Sequence, residues 1–527
     1  MEQAPVTTLP SVTELAAKQR QDSRKITVLA ILIALLCGFA FIVFDLDSPI
    51  LPTVLLIFIG IPVLIWYNTR IALYLLFAAS CLFELYQTPY ADALTDRVPF
   101  FWNINTIIQV YARVNFKAVP LNGAEVVIIL AGITALVRGI VTNELSLDRG
   151  KFFVPIAVYI GFVTMGWVNG LLTGGDFKES LQEVRAQFYF MIAYLMAVNL
   201  VQERKHVRQF LWITAISIAF KGLLYTFRRY VTLAGMELPD QGVGSHEEAF
   251  LFDTFVMLLL TLQMCSVHPK LRTFMWIFLP LVITGNLATN RRAATAAMIV
   301  AVPILLLTAY RSLPHRRKFV SIVGISLMVG WSIYYPLFKN SDSMFAQPAR
   351  AVKSQFEPNE RDASSNLYRD AENANIMATV RLAPIQGYGY GKRMLHAVPI
   401  ADISDSYEWW DLLPHNQVLW VWMRVGTFGF IAFWFMVSYI LIGLALVVRS
   451  SESDNETKAV GIFAMITLSM LMIFGLLDLQ MSSPRDMLFT GFWIGIAASL
   501  TRINSSEKNG SDELDATLGA NGRRRLT

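Results

Sequence analysis

Residues 414–429 read PHNQVLWVWMRVGTFG, and the apolar run that they open continues to about residue 448. A helix needs about 18–20 apolar residues to cross a bilayer, so residues 416–448 read as a membrane span. Its head is a histidine followed by an asparagine. Pro414 can occupy the first helical turn at no hydrogen-bond cost. The chain holds only 6 histidines and 16% charged residues, so a titratable ring at the head of a span calls for a reason.

The rest of the chain shows what surrounds that head. Of its 527 residues, 55% are hydrophobic, and the mean hydropathy is +0.48. A soluble domain is about a quarter charged. Here the apolar excess comes in blocks long enough to span. The spacing predicts spans near 26–44, 50–67, 71–86, 122–142, 152–172, 187–201, 208–226, 249–266, 272–289, 293–310, 319–337, 416–448, 459–477 and 487–502. The fold class is thus an all-α polytopic membrane protein with about fourteen transmembrane helices between 26 and 502. Residues 98–118 are too polar to span and suit an interfacial helix. Residues 1–25 are polar without a small-residue cleavage site and read as a cytoplasmic tail. Residues 503–527, rich in Ser, Asn, Gly and charge, read as a disordered tail. Cys37, Cys81 and Cys265 lie in apolar runs without CxxC or Cys/His neighbours, as small buried hydrophobes do.

Basic residues orient such a bundle. With the N-terminus in the cytoplasm, the inner connections hold Arg70, Arg138, Arg149, Arg204, Lys205, Arg316, Arg317, Lys318 and Arg449. The reverse orientation would put RSLPHRRK outside. Both termini are therefore expected inside, and one long loop, 338–415, falls on the outer face. Long loops translocate regardless of charge, and a loop of this length points to function. Leu367, Ala371, Ala374, Ala378 and Leu382 recur at helical spacing within it, and Pro384 stops the run.

Several arginines then sit on the outer side against the charge bias. They are Arg228 and Arg229 after the seventh span, Arg291 and Arg292 in the short stretch GNLATNRRAATAAM, and Arg185 before the sixth span. Charges near membrane depth face a cavity or a partner. A guanidinium suits phosphate because its planar fork donates two parallel hydrogen bonds. Each arginine alone is also explained by snorkelling to headgroups or by pairing with Glu183. Arg185 and Arg291 together with His415 on one face favour a site for a phosphorylated lipid.

At a helix N-terminus the dipole disfavours an imidazolium. A neutral His415 can then accept a proton or a hydrogen bond near pH 7. Asn416 can orient a ligand or cap the helix, and the residues alone leave both readings open. Asp45-Leu-Asp47 in the first outer loop is a short DxD that could hold a divalent cation, although acidic turns are common. No Walker pattern occurs, and GYGYG at 387–391 is not a nucleotide loop. Neither a cofactor, a resident metal nor a nucleic-acid partner is expected.

The order of these features carries a resemblance. Arg369 is followed by the amphipathic helix, then Pro384, Gly387-Tyr-Gly389-Tyr-Gly391, His415-Asn416, Leu419, Gly426 and Gly429. This resembles the O-antigen ligase and polymerase superfamily, whose central region has an arginine, a helix, a P-x-x-G-x-G turn and an H-N at a membrane helix. Asn290-Arg291 takes the place of the family's Ser-Arg pair, and Arg185 matches its arginine before an earlier span. The likeness is concentrated in 285–450. The chain departs in reading Asn-Arg-Arg for Ser-Arg-Gly, in Asn373 where an aromatic is usual, and in exceeding about twelve spans.

The resemblance implies a GT-C-like glycosyltransferase. It would move a glycan from an undecaprenyl diphosphate carrier to a lipid A core or a growing polysaccharide, at the periplasmic face of the inner membrane among membrane lipids. Arg185 and Arg291 would then bind the diphosphate and His415 would receive the acceptor hydroxyl. Arg369, with Asn416, Arg292, Arg228 and Arg229, would help bind substrate. Tyr407, Trp409 and Trp410, just ahead of His415, could stack on sugars or anchor the interface. The rival class is a transporter or flippase for a lipid-linked saccharide. No repeat between halves or pair of corresponding broken helices favours it.

Overall fold

A computed structural model describes residues 60–85, 95, 98–107, 109, 120–143, 147–236, 242–405 and 407–524. The first predicted span, most of the second, Cys37 and the Asp45-Leu-Asp47 turn lie outside the described residues. All the regular elements described are helices. Lipid leaves few other choices, because a helix satisfies its own backbone hydrogen bonds. Nine described helical segments are long and apolar enough to cross a membrane, by length and composition.

The chain divides into two compact units. In the first, α1 (Ile61–Tyr67) and most of α3 (Gly123–Thr142) are described, and Arg138 donates to the Trp66 carbonyl. The helix between them is α2 (Arg70–Leu82), apolar but only 13 residues long.

The second unit holds the chemistry. Its helices are α4 (Phe153–Leu172), α5 (Phe177–Leu200), α6 (Arg204–Phe227), α7 (His246–Cys265), α8 (Pro269–Ala288) and α9 (Arg292–Ser312). There follow α10 (Arg317–Phe338), α11 (Gln347–Lys353), α12 (Glu360–Leu382), α13 (Gln417–Arg449), α14 (Asn455–Leu477) and α15 (Pro484–Arg524). Short connections make successive helices antiparallel. The 487–502 span is the first part of α15. That helix continues through residues whose polarity suggested disorder. Arg502 pairs with Asp148, Asn504 donates to the Glu452 carbonyl and Glu507 meets Arg204, which ties the helix down past the span.

The packing follows from small residues and rings. A Cβ on Gly491 would come within 2.4 Å of the Phe190 carbonyl oxygen, and one on Gly495 within 2.7 Å of that of Tyr194. Glycines four apart therefore let α15 lie against α5, the small-residue crossing of membrane helices. Phe77, Phe210 and Phe463 close the core around Phe489 and Trp493, with Phe77–Phe210 centroids 4.6 Å apart and Phe463–Trp493 centroids 4.8 Å apart. Cys81 and Cys265 are buried free thiols.

A buried ionic network crosses this core. Lys221 pairs with Glu84 and, at 3.2 Å, with Glu248. Arg485 pairs with Glu248 at 2.6 Å and donates to the Ser80 carbonyl at 3.0 Å. Each charge has a partner, which is what tolerates charge at such depth.

Two polar ends result. At one, Arg204 at the start of α6 meets Asp454 at 2.7 Å and Glu456 at 3.0 Å, and His268 meets Glu456 at 3.0 Å. At the other lie the α8–α9 turn, α12 and the head of α13.

Candidate active site

Three residues, Thr289–Arg291, turn α8 back into α9. Asn290 adopts φ 50°, a left-handed conformation that asparagine tolerates better than most residues. Arg291 is the extended N-cap of α9. Gln347 of α11 donates to its carbonyl at 3.1 Å. The Arg291 Nε is buried with no hydrogen-bond partner among the described residues. Asp478, Glu247 and Arg369 lie within its electrostatic reach. Burial pulls its pKa down, against the opposing pull of Asp478 and Glu247.

The next residue fastens α12. Arg292 faces Asp362 at 3.3 Å, Ser365 Oγ at 3.2 Å and Asn366 Oδ1 at 3.5 Å. Residues three and four apart share a helix face, so Arg369 follows Ser365 and Asn366 toward Arg291 and Arg292. No ion pair to Arg291 or Arg369 occurs among the described residues. Arg228, buried, lies 5.2 Å over the Tyr225 ring, and Tyr225 is itself within reach of Arg291. Arg229 lies 5.6 Å over Tyr230.

The helix predicted from 367–382 is present as α12 and ends at Leu382, before Pro384. Its buried face is not the apolar stripe. Leu367 and Leu382 are exposed, whereas Glu372, Asn375, Ile376, Thr379 and Val380 are buried. The partner of this helix is a loop rich in backbone polar groups, so hydrogen-bonding residues face inward.

Glu372 meets His415. Its carboxylate accepts the His415 backbone N–H at 2.9 Å and faces the ring Nδ1 at 3.1 Å. Glu372 is 1% exposed and the His415 side chain 22%. The Tyr368 ring meets the imidazole edge-on at 6.0 Å. Pro414 and His415 lie before the helix rather than in its first turn. Asn416 is the N-cap of α13, accepting the Leu419 N–H at 3.1 Å. Capping is therefore what its side chain does here.

A kink fixes that head. Gly426 has φ 70° and ψ −177° inside α13, where a Cβ would lie 2.1 Å from the Ile385 carbonyl oxygen. The glycine turn fills the broken ladder: Tyr388 N–H donates to the Met423 carbonyl at 2.7 Å and Thr427 N–H to that of Pro384 at 2.9 Å. Arg424, fully buried, pairs with Glu183 at 2.6 Å and donates to the carbonyls of Gly389 at 2.8 Å, Lys392 at 2.7 Å and Leu412 at 3.0 Å. Glu183 also accepts the Gly391 N–H at 2.6 Å and Trp420 Nε1 at 3.1 Å.

The geometry thus gathers Arg291, Arg292, Arg369 and His415. Arg185 donates to Asn103 at 3.0 Å and Gln182 at 3.4 Å, and the acid beside it, Glu183, serves Arg424. Residues 277–434 match the family model described as O-antigen ligase. The chain carries a domain of the O-antigen ligase/polymerase superfamily. That domain runs from α8 into α13 and contains Arg291, Arg292, Arg369, Glu372, His415 and the glycine turn. The match supports a function of the O-antigen ligase or polymerase type in general, that of a glycosyltransferase-like enzyme. None of the curated proteins matches the chain.

Glu372 and Arg424 were missed in the sequence. Arg424 stands in the opening stretch, WVWMRVG, as a lone charge in an apolar run, and that was its signal. Glu372 gave a weaker one, an acid one turn beyond Arg369 on a helix whose stripe pointed elsewhere.

Proposed function

We propose that the O-antigen ligase domain transfers a glycan from an undecaprenyl diphosphate carrier to a sugar hydroxyl at the periplasmic face of the inner membrane. The acceptor is a lipid A core or a growing polysaccharide. The observation that carries this reading is a pair of guanidinia, Arg291 and Arg369, without carboxylate partners among the described residues, next to a histidine held by a buried glutamate.

The chemistry needs two things. The acceptor oxygen forms a bond to the anomeric carbon while the bond from that carbon to the phosphate oxygen breaks, so negative charge grows on the diphosphate. Guanidinia already in place stabilise it without reorganising. Arg291 and Arg369 are assigned this task, with Arg228 beside them. Arg292 holds α12, and so Arg369, in register. Arg185 is assigned to the donor on the resemblance alone. The acceptor hydroxyl must also lose its proton. With Nδ1–H donating to Glu372, the neutral ring presents Nε2 as the base. The basic connections at the Arg204 end support the cytoplasmic assignment of that end and of both termini.

The test is transfer by purified protein from a lipid-diphosphate-linked glycan. Arg291→Ala and His415→Ala should each lower transfer by about 10²-fold or more while the protein remains folded and inserted. Wild-type transfer by both variants would end this mechanism.

A further inference from the structure

One wall of this site has a chemistry unlike the rest. Residues 394–398 lie along α12. Asn375 donates to the Val398 carbonyl at 2.9 Å and accepts its N–H at 2.7 Å, and Thr379 Oγ1 accepts the Leu395 N–H at 2.9 Å. The two ends of the longer 394–413 segment are tied by Met394 N–H to the Asp411 carbonyl at 2.9 Å. Tyr368, Glu372, Asn375 and Thr379 fall on one face of α12, so the face that holds 394–398 also meets His415.

Residues 394–413 contain Asp402, Asp405, Glu408 and Asp411 and no lysine or arginine. Arg393, just outside, is taken up by Asp411 and Glu179, each at 2.6 Å. The His396 and Trp410 rings lie 5.0 Å apart at 30°. The donor side, by contrast, is cationic at Arg291, Arg292 and Arg369. Between the two sides stands Tyr368. Its hydroxyl is buried without a hydrogen-bond partner among the described residues, with Glu372, Asp411 and Asp402 in electrostatic reach. A buried hydroxyl left unpaired is costly, and one beside the base calls for an occupant that can pair with it.

We propose that Tyr368 and the 394–413 segment form the acceptor subsite, and that it takes a sugar terminus bearing hydroxyls and no phosphate or carboxylate. Sugar hydroxyls donate to carboxylates and accept from a phenol, and the C–H face of a pyranose packs on rings. An anionic acceptor would meet the like charges of Asp402, Asp405 and Glu408. The site is thereby polarised, cations for the leaving diphosphate and acids for the incoming alcohol, which also keeps the phosphorylated donor from binding in the acceptor's place. This inference rests on the glycosyl-transfer reading above.

The test uses full-length protein in nanodiscs with a lipid-diphosphate-linked glycan donor and acceptor lipid extracted from the source membranes. Tyr368→Phe keeps the ring and removes only the hydroxyl. It should raise the acceptor KM about three- to tenfold, the worth of one hydrogen bond, and leave the donor KM unchanged. Treating the acceptor with a phosphomonoesterase should leave the wild-type KM as it was. Tyr368→Phe without effect on the acceptor KM, or an acceptor that fails after the phosphomonoesterase, would overturn the subsite. So would Asp405→Lys/Glu408→Lys lowering the acceptor KM, which marks an anionic acceptor. A wild-type protein that transfers nothing overturns the glycosyl-transfer reading itself, and the subsite with it.

Discussion

Replacing Glu372 by glutamine separates orientation of His415 from its mere presence. The carboxylate accepts two donors of one residue, the backbone N–H at 2.9 Å and Nδ1 at 3.1 Å, in a place 1% exposed. An amide has one acceptor oxygen, and its nitrogen only donates. If the oxygen keeps the backbone N–H, the amide nitrogen faces Nδ1, and the ring answers by moving its proton to Nε2. That tautomer cannot take a proton from an acceptor. A hydrogen bond to a charged group is worth about 1.5–3 kcal/mol, so kcat should fall about 10- to 150-fold. Removing the base altogether sets the ceiling, about 10²–10⁴-fold. Transfer would be followed with a fluorescent acceptor at saturating donor, alongside the thermal midpoint in detergent. The donor KM and the midpoint should barely move. Added to His415→Ala, Glu372→Gln should cost nothing more, because a residue acting only through His415 has nothing left to orient. A kcat within threefold of wild type, or a further loss on top of His415→Ala, would refute the assignment.

Other outcomes are expected. Arg369→Ala should raise the donor KM about tenfold or more, the scale of one charged hydrogen bond to phosphate; an unchanged donor KM would remove Arg369 from the diphosphate. Arg424→Met leaves Glu183 buried without its partner, at a cost of about 3–5 kcal/mol, so the thermal midpoint and the inserted yield should both drop; a wild-type midpoint would count against the pair. Gly426→Ala puts a Cβ 2.1 Å from the Ile385 carbonyl oxygen at φ 70° and should lower activity by displacing the head of α13, measured as lost transfer with protein still in the membrane. Transfer should survive EDTA and Asp45→Ala/Asp47→Ala, and its loss on chelation would restore a metal to the first outer turn.

What the sequence disclosed, and what it hid, follows from the solvent. Lipid forces each spanning segment to be an apolar helix, so runs such as 123–142 and 455–477 could be read without partners. α5 is different. Its first half carries Glu179, Glu183 and Arg185, so only 187–201 read as a span, and the partners of Glu183 account for the charge buried in that first half. The arginine pair at 291–292 was legible because the connection that holds it is short, and charges at that depth need a cavity or a partner. Glu372 was not, because its partner is 43 residues away and no periodicity links a helix to a histidine beyond a loop. The apolar stripe of α12 misled for a related reason. Outside the apolar core the buried face is the one with something to bond, and what lies against α12 is the polar backbone of 394–398.

The Glu183–Arg424 pair shows why a membrane enzyme would keep two fully buried charges. Removing them from water costs several kcal/mol each, which their attraction alone does not reliably return. What they do return is position. Glu183 belongs to α5, Arg424 to α13, and between them they bind the backbone at Gly389, Gly391, Lys392 and Leu412. That fixes both edges of the 394–411 segment and the first two turns of α13. His415 lies between Leu412 and Trp420, and Trp420 also donates to Glu183. In the proposed mechanism the base must meet the acceptor hydroxyl within a few tenths of an ångström, and so it cannot hang on a free loop. With the loop pinned to the helix by the Glu183–Arg424 pair and its backbone partners, the imidazole, the 394–398 segment and the kink share one reference frame. Replacing both charges with apolar residues of similar volume should therefore preserve folding better than removing either one, yet lower kcat, because the hydrophobic pair would fill the space without holding the four carbonyls and amides that set the head of α13.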